Sequence, residues 1–236
     1  MVRRGIAPTL PDAHLEVASR TDRGVSARAN ALGLWSELPA VPLLKRLNAI
    51  SPQLFFTAAA PISPSFRVRG ASRRVYRYFD PGPAADPPGW APAARLFQGR
   101  VDARTFGRGV PVGSPQWRDI ESVEVEPLSG GRAITVRAPS FVWGMVRKIV
   151  GALREVDQGR LPLSRLEAAI QGRERLTLPL AEPEGLVLWE VEFLGVRWET
   201  RWSGPNRHQS AFALRTRKVL WARTAVADTV LPDHCP

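Results

Sequence analysis

The residues best placed to do chemistry lie in Ser19-Arg20-Thr21-Asp22-Arg23-Gly24, where one carboxylate has an arginine two positions before it and another directly after it. Opposite charges at such spacing favour the ionised form, so Asp22 suits nucleophilic or electrostatic work better than proton donation. The structural alternative is a turn capped by Asp22 with Gly24 supplying a positive φ, since Asp and Gly dominate turns. No second carboxylate or histidine is well placed beside Asp22, which weighs against an acid-using hydrolase. A second grouping falls in residues 65–79, SFRVRGASRRVYRYF. Strand alternation there puts Arg74, Tyr76 and Tyr78 on one face and Val75, Arg77 and Phe79 on the other. A face both basic and aromatic suits stacking on a base beside a phosphate, although two tyrosines are also ordinary sheet residues.

These groups need elements to hold them. Leu15 and Val17 alternate with Glu16 and Ala18 as a half-buried strand would, delivering the chain into the Asp22 loop. Leu43, Leu44, Leu47 and Ile50 recur at helical spacing, and Pro52 ends the pattern. Residues 80–94 hold five prolines and read as an irregular boundary rather than a helix or central strand. Residues 122–126 and 133–138 alternate around Gly130-Gly131, a hairpin. After Pro139 the spacing predicts a helix, SFVWGMVRKIVGALREV, with Val142, Met145, Val146, Ile149, Leu153 and Val156 on its apolar stripe. On the opposite stripe Gly144 and Gly151 bracket Arg147, with Arg154 beyond. Each glycine costs a helix about 1 kcal/mol relative to alanine, so the pair implies close approach of a backbone or of nucleic acid. Ser164 and Glu167 form a capping box for a surface helix that stops at Gly172. A closing strand puts Val187, Trp189, Val191 and Phe193 on one face.

With 236 residues and 44% hydrophobic content the chain is globular and long enough for a real core. Its net charge is +11, and because Lys occurs only at 45, 148 and 218, thirty of the 33 basic residues are Arg. Arginine offers planar bidentate donors for phosphates and bases; a GC-rich genome yields the same excess. The single cysteine, Cys235, and three scattered histidines, His14, His208 and His234, exclude a disulfide framework and argue against a Cys/His metal site. No apolar run has membrane-spanning length and no signal-peptide core is present, so a cytoplasmic location is expected. The expected organisation is an N-terminal half over 1–80, a C-terminal half over 95–194 and a basic extension over 195–236. In that extension Arg197, Arg201, Arg207, Arg215, Arg217 and Arg223 interleave with Trp198, Trp202 and Trp221. It reads as an added RNA contact or an accessory strand pair.

Arg20-Thr21-Asp22-Arg23-Gly24-Val25-Ser26-Ala27 closely resembles the catalytic loop of the TruA family of tRNA pseudouridine synthases. Arg23 and Ser26 match archaeal and eukaryotic-type members, where bacterial ones usually carry His at position 26. Tyr76-Arg77-Tyr78 resembles the family's Tyr-x-Tyr strand, and Met145-Val146-Arg147-Lys148-Ile149-Val150-Gly151 its MVRNIVG helix, with Lys148 for Asn. Residues 184–193 match its closing EGLxLxxVxF strand. Members also place a strand bearing Tyr-Asp-Gly and a helix before the catalytic loop, and this chain is expected to start near the end of that helix.

The resemblance implies an α+β fold of two related halves whose antiparallel sheets join around a basic cleft. It implies isomerisation of uridine to pseudouridine in the anticodon stem-loop of tRNA, with no cofactor or metal, and a homodimer. By resemblance Asp22 is the catalytic residue, Tyr76 lies against the target base, Arg147 pairs with the aspartate and Arg20 fills the gap left by the flipped nucleotide. Arg23, Arg28, Arg74 and Lys148 are further candidate RNA contacts. The competing reading is an RNA-binding protein on the same scaffold without catalysis.

Overall fold

The computed structural model describes residues 15–50, 54–81, 89–110, 116–128, 130–200, 210 and 214–215. In chain order its elements are β1 (Glu16–Val17), β2 (Ser26–Ala27), β3 (Leu32–Gly33), α1 (Ala40–Ile50), β4 (Ala58–Ala59), β5 (Arg73–Pro81), α2 (Trp90–Leu96), β6 (Gly99–Asp102) and α3 (Ala103–Phe106). There follow β7 (Trp117–Ile120), β8 (Ser122–Leu128), β9 (Gly131–Ala138), α4 (Met145–Asp157), α5 (Leu163–Ile170), β10 (Leu186–Glu192) and β11 (Glu199–Thr200). The fold is α+β. None of the described helices is long and apolar enough to cross a membrane.

Contacts divide the described residues into two compact units. The larger takes Glu16–Leu32 with Arg67–Leu194, and the smaller takes Gly33–Phe66 with the described residues from Gly195 onward. The division differs from a cut near residue 80 because β5 is a central strand, hydrogen-bonded to β10 on one side and β9 on the other. In the smaller unit α1 buries Leu44 and Leu47, and Glu199–Thr200 pairs antiparallel with Ala58–Ala59. Part of the expected extension therefore does form a strand pair. Most of the Arg and Trp residues beyond it, like residues 1–14, lie outside the described residues.

In the larger unit a five-stranded sheet runs β2-β10-β5-β9-β8, antiparallel throughout except for the short parallel pairing of β2 with β10. Tyr76, Tyr78, Ile134, Val136, Leu186 and Leu188 share one apolar cluster with Ala93 and Phe97 of the α2 region and with Met145, Ile149 and Leu153 of α4. Burying each large apolar side chain there contributes about 1.5–3 kcal/mol, enough to fix which face of each strand turns inward. β5 keeps the expected alternation, with Tyr78 buried and Phe79 exposed. The β8–β9 hairpin closes with Leu128 opposite Gly131, so Gly130 (φ 82°) lies in the turn and Gly131 begins β9.

Four local expectations are corrected. The proline-rich stretch gives way at Trp90 to α2, which tolerates Pro92 in its first turn, where the missing N–H would be unpaired in any case. The helix expected from residue 140 begins only at Met145, because Gly144 is left-handed (φ 74°) and caps it from outside. Ser164 lies inside α5 instead of capping it; the cap position is Pro162, with no side-chain hydrogen bond, and Leu166, Ala169 and Ile170 are buried. In β10 a bulge between Leu188 and Glu190 shifts the pairing, so Leu188 opposes Tyr76 and Val191 opposes Arg74. The extra residue reverses the alternation. Val191 consequently joins Leu186 and Leu188 at the core instead of sharing a face with Val187 and Trp189.

Gly151 accounts for the glycine stripe of α4. A Cβ there would lie 2.2 Å from the Pro179 carbonyl oxygen, so the close neighbour is the protein's own backbone.

Candidate active site

The loop from Ala18 to Ala31 is closed at its base. Ala18 N–H donates to the Ala31 carbonyl at 3.0 Å, and Asn30 Nδ2 donates to the Ser19 carbonyl at 2.9 Å. Asp22 opens a tight turn in which Val25 N–H donates to the Asp22 carbonyl at 3.1 Å, with Gly24 at φ 93°. That backbone excludes most side chains, and a Cβ on Gly24 would also sit 2.8 Å from Pro183 Cγ.

Beneath the loop lies Arg74, 8% exposed. Its Nε donates to Ser19 Oγ at 3.0 Å, Nη1 to the carbonyls of Ala71 (3.1 Å) and Pro139 (2.5 Å), and Nη2 to those of Ala18 (3.1 Å) and Arg69 (2.6 Å). Burial lowers its pKa from the usual arginine value, opposed by Tyr76; five acceptors compensate a charge that has no carboxylate partner among the described residues.

Asp22 is held from two sides. Arg147 Nη1 donates to Oδ2 at 3.0 Å, and Trp143 Nε1 donates to Oδ1 at 2.5 Å. Arg147 is anchored in turn by its Nε donating to the Ala181 carbonyl at 2.6 Å. The carboxylate keeps a side-chain exposure of 25% and opens onto a cavity of about 760 Å³. That lies within the usual range of small-molecule pockets. Ser19, Arg20, Tyr76, Phe141 and Arg147 also line it. Tyr76 is braced by an edge-on contact with Phe141, centroids 5.1 Å apart at 88°. Burial pushes its phenol above the usual tyrosine range, partly offset by the Ser19 hydroxyl and the Arg74 guanidinium, so Tyr76 stays neutral. The cavity thus combines a carboxylate, a neutral aromatic wall and a guanidinium bonded to that carboxylate.

A family model described as tRNA pseudouridine synthase matches residues 93–194. The tRNA pseudouridine synthase A of Thermococcus kodakarensis is 37% identical over 184 residues, covering 77% of this chain and 68% of that protein. That of Thermococcus sibiricus is 31% identical over 230 residues, 96% of this chain and 85% of the relative. The chain belongs to the tRNA pseudouridine synthase family. A third member, tRNA pseudouridine synthase A of Pyrococcus furiosus, is 32% identical over 202 residues, 82% of this chain and 75% of its own.

For a tRNA pseudouridine synthase the expected site residues divide clearly. Asp22, Tyr76, Arg147 and Arg20 meet at one cavity, Arg20 being exposed at its wall. Arg23 is exposed on the same loop. Arg28 is exposed, with its guanidinium 4.7 Å above the Trp189 ring on the sheet. Arg74, also expected as an RNA contact, reaches the cavity with its donors taken by protein oxygens. Lys148, likewise expected there, donates its Nζ to the carbonyls of Thr105 at 2.8 Å and Gly107 at 2.9 Å. Burial, and then Arg108 and Arg175, lower the Lys148 pKa.

Among the cavity residues not expected from the sequence are Ser19, Phe141 and Trp143. Helical periodicity absorbs Trp143 into a helix that begins two residues later. Its sequence signal is a large aromatic directly before a glycine, where the chain breaks and a side chain is freed from helical packing.

Proposed function

We propose that the chain isomerises uridine to pseudouridine in the anticodon stem-loop of tRNA. The observation that carries this reading is the Asp22 carboxylate, paired with Arg147 and opening onto a cavity walled by Tyr76. The target uridine is flipped out of its stack, at a cost of a few kcal/mol. Asp22 attacks the ribose or takes a proton from it, and the C1′–N1 bond breaks. The freed uracil turns against Tyr76, and C5 bonds to C1′ as the Asp22 carboxylate leaves C1′ or returns the ribose proton it took; C5 then loses its proton and N1 gains one. Product and substrate have the same atoms, so the reaction calls for no cofactor or metal. Arg147 orients the aspartate, and Arg20 fills the gap left by the flipped nucleotide. Arg23 and Arg28 contact the RNA backbone. A cytoplasmic location and a homodimer belong to the same reading.

The test pairs a tritium-release or mass-shift pseudouridine assay on undermodified tRNA with a filter-binding isotherm, using wild type and Asp22→Asn. Wild type is expected to form pseudouridine and Asp22→Asn none, while both bind tRNA, the variant equally or slightly more tightly because a negative charge has gone. Measurable isomerisation by Asp22→Asn would remove the nucleophile assignment. Binding by both proteins with turnover by neither would favour an RNA-binding protein without catalysis.

A further inference from the structure

Trp143 is a large indole left 56% exposed beside the cavity. Exposed tryptophan is not explained by core packing, yet this one is held firmly. Its carbonyl accepts the Arg108 N–H at 2.8 Å, and the Arg108 guanidinium lies 4.5 Å above its ring. Gly144 follows in the left-handed conformation, and a Cβ on it would press within 3.2 Å of Arg108 Cγ. The result is an indole whose Nε1–H points at Asp22 Oδ1, 2.5 Å away.

The need for that bond follows from where Asp22 sits. It lies in a turn, outside any helix or strand, and Arg147 donates to it through one nitrogen, to Oδ2. A single donor leaves the carboxylate free to rotate about its Cβ–Cγ bond. A second donor on the other oxygen removes that freedom, and correct placement of a reacting group is worth large factors in rate. A neutral N–H also does this without adding a second positive charge, which would draw more electron density from a group that must attack or accept a proton.

We infer that Trp143 is a positioning residue for the isomerisation, its indole N–H fixing the Asp22 carboxylate at the angle the reaction requires. The inference rests on the assignment of Asp22 under Proposed function. It goes further by giving an exposed aromatic beside the cavity an effect on the chemical step that is separate from any contact with RNA.

The decisive variant is Trp143→Phe, which keeps an aromatic ring for Arg108 and for RNA but has no N–H. Single-turnover pseudouridine formation and tRNA Kd are measured for wild type, Trp143→Phe, Trp143→His and Asp22→Asn, with Tm as a check on folding. Losing a hydrogen bond to a charged acceptor predicts a single-turnover rate about 10- to 100-fold lower in Trp143→Phe. Its tRNA Kd should stay within about twofold of wild type, since the ring remains, and Tm should not move, since the residue is exposed. Trp143→His retains a ring N–H and is expected to recover part of the rate. A wild-type rate in Trp143→Phe beside an inactive Asp22→Asn would overturn this inference alone. A loss confined to tRNA Kd would overturn it too, making Trp143 an RNA contact. Turnover by Asp22→Asn would instead remove the Asp22 assignment, and this inference with it.

Discussion

Arg147 reaches Asp22 across 125 residues of sequence, Nη1 to Oδ2 at 3.0 Å, while its Nε is held by the Ala181 carbonyl at 2.6 Å. The two contacts make Arg147 a strut between the body of the larger unit and its loop. Ala181 N–H in turn donates to the Arg147 carbonyl at 3.2 Å, so α4 and the segment around residue 181 set the strut's length together.

Removing that strut should slow turnover more than it weakens RNA binding. A fully buried ion pair broken on one side costs about 3–5 kcal/mol. Here the Asp22 side chain is 25% exposed and keeps its bond from Trp143, so a smaller penalty is expected. Arg147→Ala should lower the single-turnover rate roughly 10- to 100-fold with tRNA affinity little changed. Wild-type turnover would mean that Arg20 or Arg23 takes over the pairing.

Gly151→Ala sets two effects against each other. Alanine stabilises a helix by about 0.8–1 kcal/mol over glycine. The new methyl would, however, meet the Pro179 carbonyl oxygen at 2.2 Å, and backbone cannot step aside as a side chain can. Overpacking of that kind typically costs about 1–3 kcal/mol, so the clash should win and thermal unfolding should show a lower Tm. The shift also pushes on the segment that holds Arg147, and turnover should fall with it. A raised Tm would show that the backbone relaxes freely there.

The cationic residues should separate into two groups by experiment. Arg20 and Arg23 are exposed on the loop, so a double change to alanine should weaken tRNA binding. It should also reduce the log-log salt slope by about 0.7–0.9 for each phosphate no longer neutralised. Lys148→Ala should leave affinity and slope in place and lower Tm, because Lys148 Nζ is committed to the carbonyls of Thr105 and Gly107. A changed salt slope in Lys148→Ala would return that residue to the RNA surface.

Asp102 should dominate part of the acid sensitivity of the fold. Burial would raise its pKa, but hydrogen bonds from Arg104 outweigh it and hold the carboxyl below the usual aspartate value. A depressed folded pKa gives stability that is present above the unfolded value, about 4, and is lost as pH falls through the folded one. Asp102→Asn should be less stable at neutral pH, and its stability should fall less steeply below about pH 4 than that of wild type, as urea titrations at several pH values would show. Parallel curves would place the acid-sensitive group elsewhere, Glu182 being a further carboxylate held low by an arginine, Arg154.

What the sequence determined by itself was local. The Asp22–Gly24 turn, the β8–β9 hairpin and the apolar stripe of α4 follow from residue type and spacing within a few positions, because turn chemistry and helical periodicity act over that range. The β10 bulge already exceeded that range, since the alternation continues unbroken in the sequence and the shift exists only against β5. Which arginine serves which purpose was decided by the tertiary structure. Arg20 and Arg23 are nearest to Asp22 in sequence, yet Arg147 and Trp143 hold its oxygens. Arg74 resembles a phosphate contact by type and neighbours, yet the carbonyls of Ala18, Arg69, Ala71 and Pro139 take its donors. A backbone carbonyl has no residue type, so no pattern marks it as a partner. Whether a cation is free for RNA or spent on the fold is fixed only when the chain brings those oxygens around it.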